Sequence, residues 1–309
     1  MPRRKKGQAI SGWLILDKPY GISSTGALGK VRWLLDAQKG GHGGTLDPLA
    51  TGVLPLAFGE ATKTLPYVLE KSKTYQFEIT FGQATTTADA EGDVIETSKT
   101  VPSATSLEQI LPQFTGQIEQ IPPSYSAIKV DGQRAYKKAR QGEDVVLKPR
   151  QVNVHHLKLL RFAENKALLE ACVSKGTYIR SLGVDIAKAL ATCGYISQLR
   201  RTEIGVMKAC DAVLLEDIEK RVANLGGKGH IPPNLLLPTD WVLDDILACT
   251  VTTEEANQLL HGQAICLPNI PPGMVRVKTQ AGQLLSLLKV ASDGSTEIVR
   301  NFNVNNDIA

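Results

Sequence analysis

The sequence lacks the residue patterns that mark several large function classes. Its five cysteines (Cys172, Cys193, Cys210, Cys249, Cys266) are odd in number and none sits in a C-x-x-C pair. They read as small buried hydrophobes in a reducing compartment, not as a disulfide framework. Histidine is equally unhelpful to a metal: His155 and His156 are adjacent and would point to opposite faces of a strand, while His230 and His261 are isolated. The H-x-E plus P-C-x-x-C arrangement of a zinc deaminase is missing. So are the Gly-Lys-Ser/Thr ending of a phosphate loop and the G-x-G-x-x-G turn of a dinucleotide or methyl-donor site. No apolar run approaches membrane-spanning length and the N-terminus has no signal-peptide hydrophobic region, so a cytoplasmic protein is expected.

What remains is an ordinary globular composition. The 309 residues are 42% hydrophobic and 21% charged, with a net charge of +4. That is enough for one large domain and a small one, and mildly suited to a polyanionic partner. The stretch Gly41-His42-Gly43-Gly44-Thr45-Leu46-Asp47-Pro48-Leu49-Ala50-Thr51-Gly52-Val53-Leu54 stands out. Glycine permits positive φ and close approach to the backbone, and Pro48 biases Asp47 toward extended geometry. The result is a stiffened loop presenting one carboxylate, although spacing alone favours the plainer reading of a Gly-rich turn in which Asp-Pro is only a turn dipeptide.

Along the chain, Pro2-Arg3-Arg4-Lys5-Lys6 is a solvated charge run. Trp13–Asp17 reads as a buried strand, followed by Lys18-Pro19-Tyr20-Gly21 as a turn and Ser23-Ser24 as a helix cap. Lys73–Phe81 alternates strictly, placing Tyr75, Phe77, Ile79 and Phe81 on one face. Ser106-Leu107-Glu108-Gln109 has the pattern of a capping box opening a short helix. Asp89, in the polar segment Thr85–Gly92, is the leading alternative carboxylate. Lys129, Arg134, Lys137, Lys138 and Arg140 gather around a tyrosine, which suits loop RNA but also a solvated helix face. Ala167–Ser174 reads as a core strand leading through Lys175–Tyr178 into a helix that carries Leu182, Ile186 and Leu190. From about residue 240 the chain changes to a helix capped at Thr252 and short β-like runs divided by Ala281-Gly282 and Ser292-Asp293-Gly294.

Several of these segments, in this order, resemble the motifs of the TruB family, the tRNA pseudouridine-55 synthases. Gly-His-x-Gly-Thr-Leu-Asp-Pro-Leu-Ala-Thr-Gly-Val-Leu resembles its catalytic loop, with Gly43 where the family often has Thr. Lys18-Pro19-x-Gly-x-Ser-Ser, Gly59–Lys63, Lys73-x-Tyr75, Gly176-x-Tyr178-x-Arg180-x-Leu182 and Leu199-Arg200-Arg201-Thr202-x-x-Gly205 match further family segments. The resemblance spans roughly residues 12 to 240.

It implies an α/β (α+β) fold: a mixed, largely antiparallel sheet of the pseudouridine synthase type with flanking helices and a basic insertion. A small C-terminal β-barrel-like, PUA-like domain would follow. The expected division is a basic tail over 1–11, a catalytic domain over 12–245 with an RNA-gripping insertion at about 124–150, and an RNA-binding domain over 246–309. The implied activity is isomerisation of uridine 55 in the T-loop of tRNA, with Asp47 attacking covalently or stabilising positive charge at C1′. Arg180 would pair with Asp47 and keep it ionised. Tyr75 would stack on the uracil, Tyr178 and Leu199 would wall the pocket, and His42 would occupy the gap left by the flipped base. Lys18 and Pro19 would buttress the loop, and Lys129, Arg134, Lys137, Lys138 and Arg140 would hold RNA phosphates. An isomerisation needs no cofactor and no metal. The partner would be the tRNA T-arm, with no membrane and no obligate protein partner, the enzyme acting as a monomer. The competing readings are a non-catalytic RNA-binding or tRNA-folding protein and a guide-RNA-dependent relative.

Overall fold

The structure is a computed structural model that describes residues 7–123, 125–126, 128–130, 132–135, 138, 141, 143 and 147–303. In chain order the strands are β1 (Gly12–Lys18), β2 (Gly40–His42), β3 (Thr51–Phe58), β4 (Lys73–Phe81), β5 (Gln83–Thr85) and β6 (Val94–Thr97). Then come β7 (Gly116–Gln120), β8 (Lys129–Val130), β9 (Gln133–Arg134), β10 (Arg150–Ala163), β11 (Lys166–Val173), β12 (Gly194–Ile204), β13 (Met207–Lys208) and β14 (Val213–Leu214). The C-terminal strands are β15 (Leu247–Thr250), β16 (Gly273–Lys278), β17 (Leu284–Val290) and β18 (Thr296–Asn301).

One mixed sheet carries the body, in the order β14-β1-β3-β12-β4-β11-β10-β7, with β2 added on β3 and β13 on β12. Most neighbours are antiparallel, while β1/β14 and β3/β12 are parallel. The alternation of β4 does what its pattern requires: Phe77, Ile79 and Phe81 are buried in one cluster with Leu169, Leu182 and Ile186. A second cluster beside it joins Leu14, Leu16, Val31, Leu54 and Leu56. Tyr75 and Leu199 pack against both clusters, so they sit on the seam between them.

The sheet splits along one edge of β3, and the split makes the site. Residues 56–58 of β3 pair with β2, whereas Thr51 and Gly52 pair with β12. The segment 43–50 occupies the mouth of this fork. Gly52 has φ +100°, and a Cβ there would lie 2.1 Å from the Arg201 carbonyl oxygen, so only glycine admits β12 this close. At Gly43 a Cβ would meet Val68 Cγ1 at 2.8 Å, which explains locally why this position holds no side chain.

Two expectations need correcting. The helix expected to open at Ser106 runs over Ala104–Ile110 with Ser103 as its cap; Ser103 Oγ accepts the Ser106 N–H and Ser106 Oγ accepts the Ser103 N–H. Serine thus performs the reciprocal role that a glutamate usually fills. The C-terminal strands form an open four-stranded sheet, β15-β16-β17-β18, and not a closed barrel. One face packs the helix Thr253–Leu260, whose capping box is Thr252 with Glu255. The other face gives Leu284, Leu287 and Phe302 to a cluster that includes Trp13, Val242 and Leu243 of the body. Burying a phenylalanine like Phe302 is worth about 1.5–3 kcal/mol, so this contact fixes the small sheet in place.

Candidate active site

The Asp47 loop is held by three buried polar side chains from distant parts of the chain. Ser24, near the start of the helix Ser24–Leu34, accepts the Leu46 N–H at 2.7 Å and donates to the Leu46 carbonyl at 2.9 Å. Lys18, fully buried at the end of β1, donates to the carbonyls of Pro19, Ile22 and Pro48 at 2.9, 2.7 and 3.2 Å. Burial lowers the Lys18 pKa to about 8, against an opposing pull from Asp47 and a further push from Arg201. Arg201, 1% exposed, donates through Nε to the Val53 carbonyl at 2.8 Å and through Nη2 to the Gly44 carbonyl at 3.0 Å. Its guanidinium therefore closes the fork in the sheet, supplying a donor to β3 where neither β2 nor β12 reaches. Lys18 and Pro19 lie where a buttress is needed; Ser24 and Arg201 lie within the matched segments, and their hold on the loop is visible only in the fold.

Arg180 organises the chemistry. It lies in the first turn of the helix Ile179–Ala189, is 5% exposed, and its Nε is 3.0 Å from Asp47 Oδ2. Nη1 donates to the Thr87 carbonyl at 3.0 Å and lies 3.5 Å from Asp89 Oδ2, and Nη2 donates to the Tyr125 carbonyl at 2.8 Å. Asp89, the alternative carboxylate, is thus part of the same site and shares the cation. The Asp89 carboxylate also accepts from the Thr87 hydroxyl and the Glu91 N–H, which fixes it.

The net electrostatic outcome differs from the simple pairing expectation. Burial raises the Asp47 pKa; Arg180 pulls it down, Asp89 pushes it up and Lys18 pulls it down, and the sum is a raised value. Arg180 does favour the carboxylate, as expected, but desolvation in the cavity outweighs it. Activity that depends on ionised Asp47 should therefore fall with acid at a pH above the ordinary aspartate value of 3.8. A pH–rate profile of single turnovers checks this, and an acid limb at or below that value would contradict it.

A cavity of about 700 Å³ brings together His42, Asp47, Tyr75, Tyr178, Arg180 and Leu199, all six of the expected catalytic and pocket residues. Tyr75 and Leu199 enter from the adjacent strands β4 and β12. Tyr178 precedes the Arg180 helix and is clamped by Gln120, which accepts the Tyr178 N–H at 2.7 Å and donates to its carbonyl at 3.0 Å. The Arg150 guanidinium stacks 4.7 Å from the Tyr178 ring centroid and donates to the Gly176 carbonyl. Burial, then Arg201, lowers the His42 pKa, favouring the neutral ring. Among the described residues no group of three or more His, Cys, Asp or Glu is arranged to hold a metal ion.

The basic insertion is only partly described. The backbone pairs Lys129 with Arg134 across the β8–β9 hairpin, and Lys138 is half-buried. Lys137 and Arg140 lie outside the described residues.

Residues 32–179 match the family model described as TruB family pseudouridylate synthase (N terminal domain), and residues 180–244 match that of the tRNA pseudouridylate synthase B C-terminal domain. The tRNA pseudouridine synthase B of Caulobacter sp. (strain K31) is 46% identical over 314 residues, covering 98% of this chain and 100% of that one. The chain belongs to the TruB family of pseudouridylate synthases. The tRNA pseudouridine synthase B of Pseudomonas putida (strain GB-1) is 45% identical over 286 residues, covering 92% and 93% of the two chains. A solved chain from a Cbf5-Nop10-Gar1 complex shares the fold, with a TM-score of 0.72 at 24% identity over 94% of this chain and 85% of that one. The two family ranges together run from residue 32 to residue 244, so the β15–β18 sheet lies beyond them.

Proposed function

We propose that this TruB-family protein is a tRNA pseudouridine synthase that isomerises uridine 55 in the T-loop, with Asp47 as its catalytic carboxylate. The observation that carries the reading is the Asp47–Arg180 pair in a cavity walled by Tyr75, Tyr178 and Leu199. The relatives named tRNA pseudouridine synthase B, at about 45% identity over nearly the whole chain, support tRNA as the substrate. The guide-RNA-dependent alternative draws only on a shared fold, and a purely RNA-binding protein has no use for a half-buried carboxylate paired with a buried arginine at the cavity.

The chemistry breaks the N1–C1′ bond, turns the base, and joins C5 to C1′; C5 then loses a proton and N1 gains one. Asp47 either bonds covalently or stabilises positive charge at C1′ while the base is detached. Tyr75 stacks on the uracil and helps to remove the C5 proton, Tyr178 and Leu199 confine the turning base, and His42 fills the gap in the RNA stack. The divisions 1–11, 12–245 and 246–309 then act as basic tail, catalytic domain and PUA-like RNA-binding domain, with 124–150 gripping the T-arm.

An isolated T-arm stem-loop should be a sufficient substrate, because loop RNA is read by shape and splayed bases. Turnover of that stem-loop, unaffected by EDTA, is the expected result; an inert stem-loop beside a reactive full tRNA would contradict it. The basic insertion is expected to set affinity and not chemistry. Replacing Lys137 and Arg140 with Ala should weaken tRNA binding and flatten log K against log salt by roughly 0.7–0.9 per lost phosphate contact. Titrations at several salt concentrations read this directly, and an unchanged slope would place the phosphate contacts elsewhere.

A further inference from the structure

Among the described residues four buried side-chain polar atoms have no hydrogen-bond partner: His42 Nδ1, Ser126 Oγ, Arg150 Nε and Arg276 Nε. His42 and Ser126 line the cavity, and Arg150 backs the Tyr178 ring. Unmet polar demand is therefore concentrated at the active site. Ser126 is only 4% exposed. A buried hydroxyl normally finds a partner, and leaving one without costs about 1–3 kcal/mol. Three other hydroxyls around the cavity are engaged: Ser24 with Leu46, Thr87 with Asp89 and Thr177 with Ser174. Ser126 also directly follows Tyr125, whose carbonyl accepts from Arg180 Nη2. One guanidinium thus fixes both Asp47 and the strap carrying Ser126.

We propose that Ser126 is a substrate-binding residue whose hydroxyl pairs with the imide edge of the flipped uracil. The inference rests on the pseudouridine synthase reading above. Turning uracil about the axis through N3 and C6 exchanges N1 with C5 and O2 with O4. The acceptor–donor–acceptor pattern of the imide edge is consequently the same before and after the turn. A hydroxyl both donates and accepts, so one serine serves the base in either orientation. The rings of Tyr75 and Tyr178 and the Leu199 side chain offer the base faces, while Arg180 is already committed to Asp47, Asp89, Thr87 and Tyr125.

The test compares the wild-type protein with Ser126→Ala. Binding is measured to two T-arm stem-loops, one intact and one abasic at the target position, alongside thermal unfolding of the free proteins. The variant should bind the intact stem-loop roughly 2- to 10-fold more weakly, the loss of one neutral hydrogen bond. Both proteins should bind the abasic stem-loop alike. The variant's Tm should be unchanged or higher, since no bond is lost in the free protein. Equal weakening on both stem-loops would move the contact from base to backbone and overturn the inference, as would wild-type binding by the variant. A Tm lowered by several degrees would assign Ser126 a structural role and also overturn it. Failure of the wild-type protein to make pseudouridine in the intact stem-loop would instead strike the functional reading beneath.

Discussion

Asp47→Asn should reduce the single-turnover rate of pseudouridine formation by at least about a thousandfold, because it removes both the charge and the nucleophile while keeping the shape. Binding of tRNA should hold, since Arg180 keeps Asp89 and the carbonyls of Thr87 and Tyr125. Stability should not suffer. Burial raises the Asp47 pKa in the folded protein. A carboxyl raised in this way contributes its full stability below its unfolded value and loses it as pH rises through the folded value. At neutral pH the wild-type protein therefore carries a cost that the asparagine variant does not, and the difference should vanish in acid. Urea unfolding at pH 7 and in acid measures this; a variant much less stable than wild type at neutral pH would mean that the Arg180 pairing outweighs desolvation.

Arg180→Met should have the second largest effect and act on stability as well as rate. The substitution leaves two carboxylates, Asp47 and Asp89, facing one another without their cation, and strips donors from two backbone carbonyls. Removing one partner of a fully buried pair costs about 3–5 kcal/mol; because Asp47 keeps 37% of its side chain exposed, solvent screening brings the cost here below that range. It should also move the acid limb of the residual activity upward, because the attraction that opposed burial at Asp47 is gone. Asp89→Asn should move that limb the other way by deleting a like charge. Denaturant midpoints and pH–rate profiles of the two variants read both effects, and shifts in the same direction would contradict the shared-cation arrangement.

Much of this was legible in the sequence where the signal is local or carried by an ordered motif set. The alternation of Lys73–Phe81 placed Tyr75 on the core-facing side of a strand, and the structure sets it on the seam between two cores. The glycine-rich loop marked Asp47, and the strand-to-helix turn marked Tyr178 and Arg180. What was not legible depends on contacts across long stretches of chain. Arg201 reaches Gly44 and Val53, Gln120 clamps Tyr178, and Ser24 holds Leu46, none of which periodicity can disclose. Asp89 could be seen as a spare carboxylate, yet its sharing of Arg180 needs the two chain segments side by side. The direction of the Asp47 shift was missed for a related reason: a partner charge can be read from a motif, whereas the depth of burial cannot. The open C-terminal sheet is similar, because strand patterns specify faces and leave closure unspecified.

The most direct test is to map pseudouridine, position by position, in unmodified tRNA incubated with the purified wild-type protein and with Asp47→Asn. The expected result is one new pseudouridine at the T-loop uridine with the wild-type protein and none with the variant. Pseudouridine at a different position, or equal modification by the two proteins, would contradict Asp47 as the carboxylate acting on that uridine.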